Sequence, residues 1–173
     1  FDNLGVAVIG QVSFAGDLDL KLGQSARFYV RSLALAESAG GDSDIAITAP
    51  YLRLAGTWTL RTEQPGVTEL SVSGGGTQDT DGRLTLNAGL LDVRDVVGFG
   101  AYGTVPRPTD PIFERRGFAN VALNSSGDLR LLAGTYLDGT RLATNGELSL
   151  TAAQIYPAAH AQAIITADTI TLG

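Results

Sequence analysis

The stretch GELSLTAAQIYP, residues 146–157, starts as a strand and then loses its rhythm. Side chains alternate along an extended chain, so Leu148 and Leu150 share one face while Glu147, Ser149 and Thr151 share the other. From Ala152 the next apolar site lies three residues on, at Ile155, and the alternation breaks. A small residue at such a break reads as a corner, after which a second short strand points inward again.

The unit recurs. Its template is Gly or Ser, an acidic or polar residue, then Leu-x-Leu-x-Ala-x-x-Leu/Ile. Residues 43–52 (SDIAITAPYL) fit it, with Leu54 continuing inward. So do 82–91 (GRLTLNAGLL), followed by Val93, and 127–136 (GDLRLLAGTY), with Tyr136 at the last site. Residues 16–22 (GDLDLKL) supply a first half, and 168–172 (DTITL) begin a further copy. A short strand pair with one corner cannot bury its own apolar face, but stacked copies can. The fold class expected is therefore all-β: a right-handed parallel β-helix, or solenoid, with columns of Leu, Ile, Val and Ala inside. Longer gaps between copies read as a degenerate coil or a loop, as at 119–126 (ANVALNSS). At about 20–25 residues per coil the chain would hold about seven or eight coils, a rod roughly 35 Å long at about 4.8 Å per coil. An antiparallel sandwich is the competing architecture. Against it, the repeat returns with its corner, and hairpin dipeptides are few: Asp81-Gly82, Asp138-Gly139 and Asn145-Gly146.

Composition agrees. The 173 residues suit one domain, 44% are hydrophobic and 17% charged, and 22 glycines punctuate short β-type runs. No apolar run approaches the roughly 18 residues of a membrane helix, so no membrane insertion is expected. The net charge of −6, without a basic cluster, disfavours nucleic acid and anionic lipid as partners. Absence of cysteine excludes thiolate zinc sites, thiol catalysis and disulfides. The chain opens on Phe1-Asp2-Asn3 and carries no methionine, so residues 1–173 are expected to be one segment excised from a longer protein.

Units such as GRLTLNAGLLDV, SDIAITAPYLRLAG and GELSLTAAQIYP resemble the repeats of filamentous haemagglutinin-type exoproteins of two-partner secretion; NGELSLTAAQIYP resembles their C-terminal part. The resemblance implies a secreted or bacterial cell-surface β-helical shaft serving adhesion, biofilm or contact-dependent competition. It implies a host or neighbouring-cell surface protein or glycan as partner, and an outer-membrane transporter during export. It carries no catalytic residue, cofactor or metal to this chain.

One segment departs from the repeat. Residues 101–118 (AYGTVPRPTDPIFERRGF) hold Pro106, Pro108 and Pro111, whose missing N–H groups disfavour ladder pairing, so an extended loop is expected there. Tyr102, Arg107, Phe113, Arg115 and Arg116 would form a basic–aromatic surface for an acidic glycan or a protein partner; the plainer reading is an excursion covering the rod. Residues 74–82 (GGGTQDTDG) resemble a lone calcium repeat through Asp79 and Asp81, but a turn is the simpler reading. β-Helices also host polysaccharide hydrolases and lyases that use paired acids. Asp17 with Asp19 and Asp92 with Asp95 are the nearest approaches, yet no acid cluster backed by Arg or Lys at repeat-related positions stands out. His160 lacks a Gly-x-Ser-x-Gly elbow to work with, and Trp58, alternating with Leu60, reads as packing. The expectation is a non-enzymatic shaft; a polysaccharide-acting enzyme or a glycan-binding module is the alternative.

Overall fold

The computed structural model describes residues 1–36, 38–56, 77–78, 80–100, 115–134, 139–158 and 161–173. Every regular element among them is a strand. In chain order these are β1 (Asn3–Ala7), β2 (Gln11–Phe14), β3 (Leu18–Lys21), β4 (Ser25–Tyr29), β5 (Ser32–Leu35) and β6 (Asp44–Ala55). There follow β7 (Thr77–Gln78), β8 (Arg83–Phe99), β9 (Arg115–Arg116), β10 (Asn120–Ser125) and β11 (Asp128–Leu132). The last five are β12 (Gly139–Thr144), β13 (Glu147–Thr151), β14 (Gln154–Pro157), β15 (Gln162–Thr166) and β16 (Thr169–Leu172).

They form one curled, almost wholly parallel sheet, consistent with a β-helix-like fold and unlike an antiparallel sandwich. Pairing runs in three ladders. The first stacks β3, the start of β6, the start of β8, β10, β13 and β16. The second stacks β1, β4, the end of β6, the middle of β8, β11 and β14. The third stacks β2, β5, the end of β8, β12 and β15. Strand β8 passes through all three without interruption.

In-register stacking aligns the apolar sites. Ile45, Leu84, Val121 and Leu148 make one buried column, and Ile47, Leu86, Leu123 and Leu150 another. In the second ladder Ala26, Leu52, Leu91 and Leu129 align, as do Phe28, Leu54, Val93 and Leu131. With Val97, Phe99 and Leu142 from the third ladder they belong to a single core. Each such leucine contributes about 1.5–3 kcal/mol by leaving water, which explains why alternation in the sequence reports the fold.

Corners have local causes. Gly89 lies where β8 turns from the first ladder to the second. A Cβ there would sit 2.8 Å from the Pro50 carbonyl oxygen, so the close stack needs glycine. At the next turn Asp95 has φ of 58°, a left-handed conformation that Asp tolerates better than most residues. Ala152 does stand at a corner, between β13 and β14, and packs on the core.

The register departs from the sequence expectation at one copy. Residues 127–136 match the template, yet Leu129 pairs with Leu91 and belongs to the second ladder. The first-ladder partner of Leu84 is Val121, in the stretch 119–126 read as degenerate. The reason is that Leu-x-Leu marks an inward face in either ladder, whereas turn lengths decide which ladder a strand enters. The longest path through the sheet runs over seven described strands, β1, β4, β6, β8, β10, β13 and β16, so the stack spans six gaps, about 29 Å at about 4.8 Å each. That is shorter than the expected rod, because the first-ladder starts Asp44, Arg83 and Asn120 are each separated by more chain than one coil requires.

Residues 101–114 of the expected loop lie outside the described residues. Its end rejoins the sheet: β9 pairs with β7 and, at Leu35↔Arg116, antiparallel with β5. Phe118 is buried, its ring 6.5 Å from that of Phe14. Gly100, at φ of 70°, packs so closely on Gly117 that a Cβ would overlap the latter's Cα. The chain thus leaves and returns through a neck of two glycines.

Candidate functional site

Of the proposed loop surface, Tyr102, Arg107 and Phe113 lie outside the described residues, as do Trp58, Asp79 and His160. Arg115 is placed by its backbone in β9. The Arg116 guanidinium turns inward along the wall: its Nη1 donates to the carbonyls of Ala36 at 2.9 Å and Ala39 at 2.8 Å. It thereby fastens the turn that follows β5. Asp81 is exposed, and Asp17 accepts the Asp44 backbone N–H at 2.9 Å, a link between neighbouring turns. Asp19 and Lys21 pair at 3.1 Å on the surface, where such pairs contribute little.

A more organised constellation lies on the outward face of the second ladder. One register line reads Gly5, Arg27, Arg53, Asp92, Arg130 and Tyr156 across six strands. The line beside it holds Ser25, Tyr51 and Leu90; on the other side stand Tyr29, Ala55 and Arg94. Strand geometry puts these side chains outward because their neighbours Leu52, Leu54, Leu91, Val93, Leu129 and Leu131 point into the core.

Asp92 is the hub. It is only 4% exposed. Arg130 grips it as a fork, Nε to Oδ1 at 2.7 Å and Nη2 to Oδ2 at 2.9 Å, and the Tyr51 hydroxyl donates to Oδ2 at 2.9 Å. Two charge-assisted bonds in parallel fix geometry as well as energy. Burial, then the bond to Asp92, raises the Tyr51 phenol above the ordinary 10.0. The fork's own bonds to Asp92 raise the already high value of Arg130. Tyr156 donates to Asp128 at 3.0 Å, and that bond is the first cause of its own upward shift. Arg94 Nε donates to Asp95 at 3.2 Å.

Arg27 and Arg53 behave differently. They are cross-strand neighbours, one on β4 and one on β6. Among the described residues no carboxylate pairs with either. Their guanidiniums lie over tyrosine rings instead, Arg27 over Tyr51 and Arg53 over Tyr29, each at 5.7 Å from the ring centre. The Arg53 Nε is enclosed without a hydrogen-bond acceptor.

An acid backed by arginines at repeat-related positions therefore exists, although none stood out in the sequence. The signal was there: a charged residue sits between two apolar ones in the four middle strands of the second ladder, at Arg27, Arg53, Asp92 and Arg130. It became readable only with the register, since the bonded partners are 38 and 41 residues apart. Chemically the arrangement is a fixed cationic strip. Both Asp92 oxygens are engaged, which leaves that acid no free role in proton transfer. Among the described residues no group of three or more acidic or histidine side chains is placed to hold a metal ion, and no helix is long and apolar enough to cross a membrane.

No protein-family model, curated protein or solved structure matches the chain.

Proposed function

We propose that the chain is a stretch of shaft: a right-handed parallel β-helix from a secreted or surface-exposed bacterial exoprotein of the filamentous haemagglutinin type. Its role is non-enzymatic, to hold attachment or contact-dependent parts at a distance from the cell. The observation that carries this reading is β8, one strand running through three parallel ladders around a common core. A wall of that kind is stiff because every coil is bonded to the next along its whole perimeter. The commitment of Asp92 to Arg130 and Tyr51 favours the non-enzymatic reading over a polysaccharide-cleaving one. During export the chain would pass an outer-membrane transporter of two-partner secretion, and the absence of cysteine suits such passage.

Two measurements test the proposal. Replacing Leu148 and Leu150 by Asp puts two charges into stacked core columns and is expected to abolish cooperative unfolding; an unchanged melting curve overturns the shaft architecture. Antibodies to the chain are expected to label intact source cells or culture fluid. Labelling only after lysis overturns the surface role.

A further inference from the structure

We propose that the outward face of the second ladder binds a linear polysaccharide bearing carboxylates, laid along the stack with its acid groups on Arg27 and Arg53.

The first argument is charge. The chain carries a net −6, yet this face gathers Arg27, Arg53, Arg94 and Arg130 against Asp92 and Asp128. Both acids are already satisfied, Asp92 by Arg130 and Tyr51, Asp128 by Tyr156. Arg94 is turned to Asp95. What is left over is the pair Arg27 and Arg53.

The second argument is that this pair is unfavourable as it stands. Like charges directly opposite on paired strands destabilise a sheet, and these two are opposite. Stacking on Tyr51 and Tyr29 offsets part of that repulsion and holds both forks in place. Carboxylates docked on the two offset the repulsion and find donors already ordered, so little side-chain freedom is lost on binding.

The third argument selects the ligand. Planar guanidiniums suit planar carboxylates, which they bind through two parallel bonds. Arg27 and Arg53 stand on adjacent strands, about 4.8 Å apart along the stack, a spacing that successive acid groups of an extended polymer can match. A nucleic acid would meet the same net-negative chain, and it is an arm of the test. That the polymer is a sugar rests on the surface reading above; the anion site rests on the side-chain geometry alone.

The test uses the chain as it stands, with polygalacturonate as probe and neutral dextran, dextran sulfate and single-stranded DNA for comparison, followed by calorimetry at several salt concentrations. Binding to polygalacturonate, weakening with salt and absent with dextran, is expected. Arg27→Gln, at an exposed position, and the double change Arg27→Gln with Arg53→Gln are expected to weaken it stepwise, the double change by at least about ten-fold. Lys21→Gln with Arg83→Gln, away from this face, should leave it unchanged. Circular dichroism and melting of each variant report the fold separately, so a lost site is distinguishable from a lost shaft. Silence with polygalacturonate, or equal binding by the double variant, overturns the site. Tighter binding to dextran sulfate or DNA than to polygalacturonate overturns its assignment to carboxylates.

Discussion

Asp92 sits in the wall where most outward residues are half exposed, and it is enclosed because its partners close over it. Replacing it by Asn keeps the shape but leaves the Arg130 fork facing a neutral amide. The expected cost is about 1–3 kcal/mol in urea unfolding, below the figure for fully buried pairs because Arg130 is itself part exposed. Tyr51 adds a dependence on pH. Its phenol is harder to ionise in the fold than in the unfolded chain, first through burial and then through Asp92. The contribution is therefore complete below the ordinary value of 10.0 and is lost as pH rises through the higher folded value. Wild type is expected to exceed Tyr51→Phe in stability at pH 8, with the margin shrinking once pH passes 10, as read from unfolding curves across that range.

At the scale of elements, corners carry the specificity that strands lack. Gly100 combines a positive φ with backbone contact to Gly117, so Gly100→Ala forces both ends of an excursion apart. A loss of more than about 2 kcal/mol is expected. Gly5, on the outward face of β1, has open space around it. Gly5→Ala should be neutral or stabilise slightly, by up to about 1 kcal/mol; comparing the two melting temperatures checks the pair. The same contrast explains what could be read from residues alone. Leu148, Leu150, Ile45, Ile47, Leu84 and Leu86 announced themselves by period 2, and all are buried. Leu129 announced itself equally well but in the wrong ladder, because burial pattern reports a face and says nothing of the turn that delivers it. The Arg27–Arg53 strip was illegible for a related reason. Each arginine looks solvated by itself, and its meaning arises only beside a strand 26 residues away.

For the whole molecule, the stack ends are its exposed side. Ile170 and Leu172 continue the columns of Leu148 and Leu150, yet they are 43% and 63% exposed because no described strand covers them. Ile9, 83% exposed, marks the other end. Uncovered edges with apolar faces attract further strands. This chain alone is expected to associate with rising concentration in sedimentation velocity, and Ile170→Lys with Leu172→Lys should hold it monomeric. The glycine neck acts in the opposite sense, by insulating. Since Gly100 and Gly117 already touch, the core meets the intervening residues as a closed port whose width is fixed from its own side. Doubling the length of such a segment costs only about 0.6 kcal/mol in closure entropy, provided the two glycines and the hold of Arg116 on Ala36 and Ala39 are kept. The position is therefore expected to serve as a cassette: exchanging residues 101–114 for an unrelated segment should leave the melting temperature of the scaffold unchanged.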